Sequence, residues 1–195
     1  MSKITLCIDT CGLYYSIAIL KNEEILQEFV SYERHMQCEQ FIVKVEELLE
    51  KCNISYVNID AIAVTNGPGS FNGVRIGMSA AYGISLARNI TIIRVSVMEV
   101  MLYKAIQKNI QYPIHICFLA DNSTAFMQKF SHEQAFEIIE LNVSELPYDC
   151  ISFDLNNFNV CNSTISNAVA AGLISLTQEI QNDKLFYGKQ PSITS

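Results

Sequence analysis

The sequence predicts an α/β chain in which an antiparallel meander leads into β-α-β crossovers. Three observations carry that expectation. Short runs of alternating apolar residues, parted by turns, open the chain. A glycine-rich loop, Asn66 to Gly73, joins an apolar run at 59–64 to an apolar, helix-forming stretch that ends at Arg88. A further short apolar run, Thr91 to Val95, then meets a helix-start signal at Ser96.

Taken in order, Ile4, Leu6 and Ile8 share one face of a first strand, and Asp9-Thr10-Cys11-Gly12 makes a turn. Tyr15, Ile17 and Ile19 alternate along a second strand, Lys21-Asn22-Glu23 turns, and 24–32 forms a third, completing a meander. Cys38, Phe41, Ile42, Val45, Leu48, Leu49 and Cys52 then fall on one stripe of a helix over 35–52, which stops at Asn53. Burying its five large apolar side chains is worth roughly 1.5–3 kcal/mol each. After the 59–64 strand, the loop and its helix comes the 91–95 strand. Ser96 with Glu99 makes a capping box for a helix reaching Lys108. Beyond Pro113, strands are expected at 114–119, 125–130 and 136–141, a loop-rich asparagine stretch at 156–167 and a helix over 167–180. The tail from Gly188 is polar and is expected to fray.

Composition narrows the function classes. The 195 residues are half hydrophobic, enough for a sizeable core in one domain or two small ones. The net charge is −7 and neither half of the chain is basic, which argues against nucleic acid being held by this chain alone. Seven cysteines without a C-x-x-C pair point to reduced thiols and a cytoplasmic setting. No signal peptide or membrane span is expected. The three histidines, His35, His115 and His132, include no i, i+4 pair, so no metal site is expected, and His35 reads as a residue at a helix N-terminus.

The loop Gly67-Pro68-Gly69-Ser70 admits two readings. One is a tight turn bringing a helix close to a sheet, with Ser70 or Asn72 as N-cap. The other is an anion site at a helix N-terminus, with Asp9, Thr10, Gly67, Gly69 and Ser70 as the remnant of a phosphate loop. It matches neither the P-loop nor the G-x-G-x-x-G spacing. In the helix that follows, Gly73, Gly77, Ala81 and Ser85 line up as a ridge of small residues. Charge appears only at Arg75 and Arg88, so this helix must be covered on nearly every side. One cover is its own sheet. The other must come from outside that sheet, from another domain or another subunit.

The order β-β-β-α-β-α-β-α is the half-domain order of the actin, Hsp70 and sugar-kinase architecture. Within it, Ile8-Asp9-Thr10, His35 opening the first helix, Asp60-Ala61-Ile62-Ala63-Val64, Gly67-Pro68-Gly69-Ser70-Phe71, Gly73-Val74-Arg75-Ile76-Gly77 and Ser96 resemble the TsaB (YeaZ) family over about residues 4–100. The resemblance implies an actin-like (ASKHA) fold of two related domains, 1–110 and a reduced 111–195. It implies a non-catalytic subunit of the bacterial machinery that makes threonylcarbamoyladenosine on tRNA, with no catalytic residues, no metal and no cofactor. It also implies a TsaD-like catalytic partner, a TsaE-like ATPase joining the pair, a possible homodimer, and tRNA reached only through the complex. The family pairs through its first two helices, which puts Cys38, Phe41, Ile42, Val45, Leu49, Gly73, Gly77, Ala81 and Ser85 at the partner interface. The sequence departs from the family at Cys11, where serine or threonine is usual, and at Asp121-Asn122-Ser123, where Asp-Ala-Arg is usual.

Two other classes remain in view. An actin-fold ATPase or kinase would use Asp9, Thr10 and the glycine loop on phosphates and magnesium, but needs carboxylates from both domains, and Asp121 is the one candidate in the second. A peptidase would need Ser70 or Ser96 paired with a histidine, and none is near in sequence.

Overall fold

The structure is a computed structural model describing residues 2–12, 14–31, 37–120, 123–152, 159–160 and 166–176. His35, Asp121, Asn122, Cys161 and the tail from Gly188 lie outside the described residues.

The first sheet is built from β1 (Ile4–Asp9), β2 (Ser16–Lys21), β3 (Glu24–Val30), β4 (Ala61–Thr65) and β5 (Thr91–Val95), in the order β3-β2-β1-β4-β5. The meander is antiparallel, with Ile8 opposite Ile17, and β1, β4 and β5 run parallel, with Leu6 beside Ile62 and Ile62 beside Ile92. Parallel neighbours need crossover helices. Those are α1 (Gln37–Lys51) and α2 (Phe71–Arg88) before and after β4, with α3 (Val97–Gln107) following β5. A second sheet holds β6 (Ile114–Leu119), β7 (Thr124–Phe130), β8 (Ile139–Asn142), β9 (Ile151–Ser152) and β10 (Asn159–Val160), ordered β10-β9-β6-β7-β8.

Side-chain alternation decides what covers each face of the first sheet. Leu6, Ile8, Ile17, Ile19, Ile62 and Val64 point into one cluster with Phe41, Val45 and Leu49 of α1 and with Val74 and Met78 of α2. Cys7, Ala18, Leu20 and Ala63 point the other way, where α4 (Asn167–Ser175) covers them with Ala168 and Val169. Small residues meet there from both sides. A Cβ on Gly172 would lie 2.4 Å from Cys7 Sγ, so α4 rests almost directly on the strands. The last described helix of the chain is thus layered on the first sheet.

Several local expectations take a different form. Residues 136–138 are not in a strand: Phe130 bridges Ala135, Phe136 N donates to the carbonyl of Lys129, and regular pairing resumes only at Ile139. The third strand ends at Val30, and a short 3₁₀ turn at Tyr56–Asn58 precedes β4. Asn53 has a φ of 54°, the left-handed conformation that ends the first helix. The capping box is in place: the amide of Met98 donates to Ser96 Oγ, and that of Ser96 to Glu99 Oε2.

Candidate docking face and the closed carboxylate site

The glycine loop is a packing device. Gly67 sits at a φ of 99°, where a side chain would be strained, and residues 66–69 are buried. The amide of Ser70 donates to the carbonyl of Cys11, and that of Val97 to the carbonyl of Gly67, so the loop is tied to the first turn and to the start of α3. Ser70 Oγ accepts from the amide of Gly73 and is the N-cap of α2; Asn72 lies one residue inside the helix. A Cβ on Gly73 would come within 2.0 Å of the carbonyl oxygen of Thr10, and one on Gly77 within 2.3 Å of Thr10 Oγ1. Thr10 Oγ1 donates to the carbonyl of Gly73 at 2.7 Å.

The small ridge therefore faces the protein's own first strand. Gly73, Gly77 and Ala81 are buried, and Ser85 Oγ is turned to the carbonyl of Ile90 at the helix end. In α1, Phe41, Val45 and Leu49 are likewise core residues. Within this chain these expected interface positions form the seam between helices and sheet and not an open surface. Cys38 falls within α1, with its side chain outside the described set, and Ile42 alone of the named residues with described side chains is exposed on an outer helix face. Spacing could show that a small ridge exists but not which side it faces. The burial of the glycines beside Thr10 decides that.

What lies open is the opposite stripe. Ser79, Gly83 and Ala87 repeat every four residues, and a Cβ on Gly83 would meet nothing within 4 Å. With Ile42, Tyr56, Ala80 and Ile84 they line an apolar groove of about 400 Å³ between α1 and α2. Leu86 beside it is 89% exposed, with Tyr82, Val43 and Val57 also exposed. Exposed large apolar residues gathered around a groove mark an interaction surface.

Asp9, the other candidate, is 1% exposed and held entirely by this chain. Thr65 Oγ1 donates to Asp9 Oδ1 at 2.6 Å, and the amide of Cys11 reaches the same oxygen. Asn167 Nδ2 donates to Asp9 Oδ2 at 2.9 Å, while Asn167 Oδ1 accepts from Lys104 Nζ, itself only 6% exposed. The carboxylate and the buried ammonium are bridged by one amide whose two ends suit opposite charges. Such a pair is tolerated in the interior only because every end is bonded. Burial, and then the charge of Asp9, push the Cys11 thiol far up, so it is not a nucleophile. The sequence put Asp9 in the turn after the first strand, whereas it is the last residue of β1, opposite Ser16; Lys104 and Asn167, which come from other parts of the chain, left no sign in the sequence.

Among the described residues, no histidine is paired with either serine of the peptidase reading. Ser70 and Ser96 both serve as helix caps, while His115 lies beside Asp149 and His132 packs on the ring of Tyr112. Among the described residues, no group of three His, Cys, Asp or Glu is placed to hold a metal, and no helix is long and apolar enough to cross a membrane.

Fold and site together define a class: an actin-like chain whose described residues form two five-stranded sheets, with an acidic position filled from within and an apolar face left open. Comparison with known proteins agrees. The model of the TsaD family, described as tRNA N6-adenosine threonylcarbamoyltransferase, matches residues 33–151. A curated TsaB, the tRNA threonylcarbamoyladenosine biosynthesis protein of Bacillus subtilis, is 31% identical over 49% of this chain and 42% of its own length. The tRNA N6-adenosine threonylcarbamoyltransferase of Bacillus thuringiensis is 32% identical over 52% of this chain and 29% of its own. The solved YeaZ of Pseudomonas aeruginosa superposes with a TM-score of 0.67 over 90% of both chains, at 16% identity. The chain belongs to the family of the TsaD model, which covers residues 33–151, and within it is similar to the TsaB (YeaZ) proteins. Its matches span less than half the length of these two curated relatives.

Proposed function

We propose that this chain is a non-catalytic scaffold subunit that pairs with a TsaD-like catalytic subunit in threonylcarbamoyl transfer to the adenosine beside the tRNA anticodon. A TsaE-like ATPase joins the pair, and the assembly works in the cytoplasm. The observation that carries the reading is the open apolar groove between α1 and α2. The names of the relatives supply the reaction, and the groove supplies a surface on which a partner's helices would bury Leu86, Tyr82 and Ile42. The bonded state of Asp9 supports a structural use of that carboxylate over a phosphate- or metal-binding one. The chain's acidity supports a reading in which tRNA contact falls to the partner.

The test is size-exclusion chromatography of the purified chain mixed with a TsaD-like subunit, with and without nucleotide. Co-elution is expected, and Leu86→Glu or Gly83→Trp should abolish it. Separate elution of the wild-type chain under both conditions would overturn the proposal. Tight Mg-ATP binding with turnover by the isolated chain would favour an ATPase or kinase instead. A second copy on the same face would show as a dimer by sedimentation, dispersed by the same substitutions.

A further inference from the structure

The second sheet holds a feature that docking does not use. Cys117 on β6 and Cys150 just before β9 are buried free thiols 33 residues apart, with their sulfurs 2.8 Å from each other. Strands β6 and β9 run side by side and parallel, with Ile116 beside Ile151, so the contact is set by the sheet rather than by a loop. The separation is only about 0.8 Å longer than a disulfide bond. Cys150 also lies at the end of a surface turn. Its amide donates to the carbonyl of Pro147, Tyr148 is 99% exposed and Asp149 is largely exposed. Opening that turn alone would bring Cys150 to solvent.

We propose that Cys117 and Cys150 form a reversible disulfide under peroxide, fastening β9 to β6. The pair is asymmetric. The two thiols share one hydrogen bond, and Cys150, at the end of the exposed turn, is the sulfur that peroxide reaches first, so Cys150 is the attacking sulfur. Its thiolate attacks the peroxide O–O bond, becomes a sulfenic acid and releases hydroxide, which takes up the proton lost by the thiol to give one water. The Cys117 sulfur then attacks the sulfenic sulfur. The S–O bond breaks, a second water leaves with the Cys117 proton, and two electrons have passed to the peroxide. A dithiol reductant reverses the bond by exchange. The other described cysteines have no such partner: Cys7 and Cys11 are each deep in the first sheet's core, and Cys52 lies at the end of α1.

The full-length chain is treated with hydrogen peroxide, free thiols are blocked with iodoacetamide, and peptides are mapped by mass spectrometry without reduction. The expected result is a cross-link joining the peptides of Cys117 and Cys150, with the loss of two hydrogens, formed before any other cross-link within the chain. Melting should move up by several degrees on oxidation and return with dithiothreitol, and Cys150→Ser should show neither change. If that variant fails to fold, the wild-type map decides alone. Both thiols alkylated as free cysteines while Cys52 oxidises, or a cross-link appearing only in denaturant, would overturn the proposal.

Discussion

Asn167 carries more than an asparagine on a helix usually does, because its amide bridges a buried carboxylate and a buried ammonium. Replacing it with leucine keeps the volume but leaves Asp9 Oδ2 and Lys104 without their shared partner. The expected cost is about 2–4 kcal/mol in urea denaturation, since a buried charge stripped of its bond is expensive. A second residue-scale effect follows from the thiols of Cys7 and Cys11, which burial holds far above their ordinary value of 9.0. Above that pH the unfolded chain loses these protons while the folded chain keeps them. Folding stability should therefore be whole below pH 9 and fall as pH rises beyond it. Denaturation midpoints measured across the alkaline range should show this decline, and Cys7→Ala should flatten it.

The two sides of α2 lead to opposite outcomes for the same kind of change. Gly73→Ala drives a methyl into the carbonyl of Thr10 and should lower stability by about 1–3 kcal/mol, seen as a reduced melting temperature. Gly83→Trp enters open space and should leave melting nearly unchanged while removing partner co-elution. The sequence made α2 legible as a helix, because Ser70, the apolar run and Arg88 bound it clearly. It also made legible the meander, the crossovers and the Ser96 cap, all of which rest on local chemistry. It did not reveal which stripe faced outward. Two small-residue stripes, 73-77-81-85 and 79-83-87, have the same period, and only the close approach of Thr10 selects the inward one. The occupants of Asp9 were hidden for a related reason. Lys104 and Asn167 lie 95 and 158 positions along the chain from it, with no spacing rule between them.

At the scale of the molecule, the proposed pairing would put the acidity and the open groove to one use. A chain of net charge −7 should not retain tRNA by itself at about 0.15 M salt, whereas the assembled complex should. Gel-shift titrations of both would check this, and tight binding by the isolated chain would contradict the division of labour. The placement of α4 has a further consequence for how the protein is made. One face of the first sheet is finished by residues that leave the ribosome long after its strands do. Until residue 175 is out, Cys7, Ala18, Leu20 and Ala63 form a bare underside on a nascent polypeptide. A chain stalled near residue 160 would accordingly be a client for chaperones, and a message truncated there would yield inclusion bodies in place of a usable half-protein.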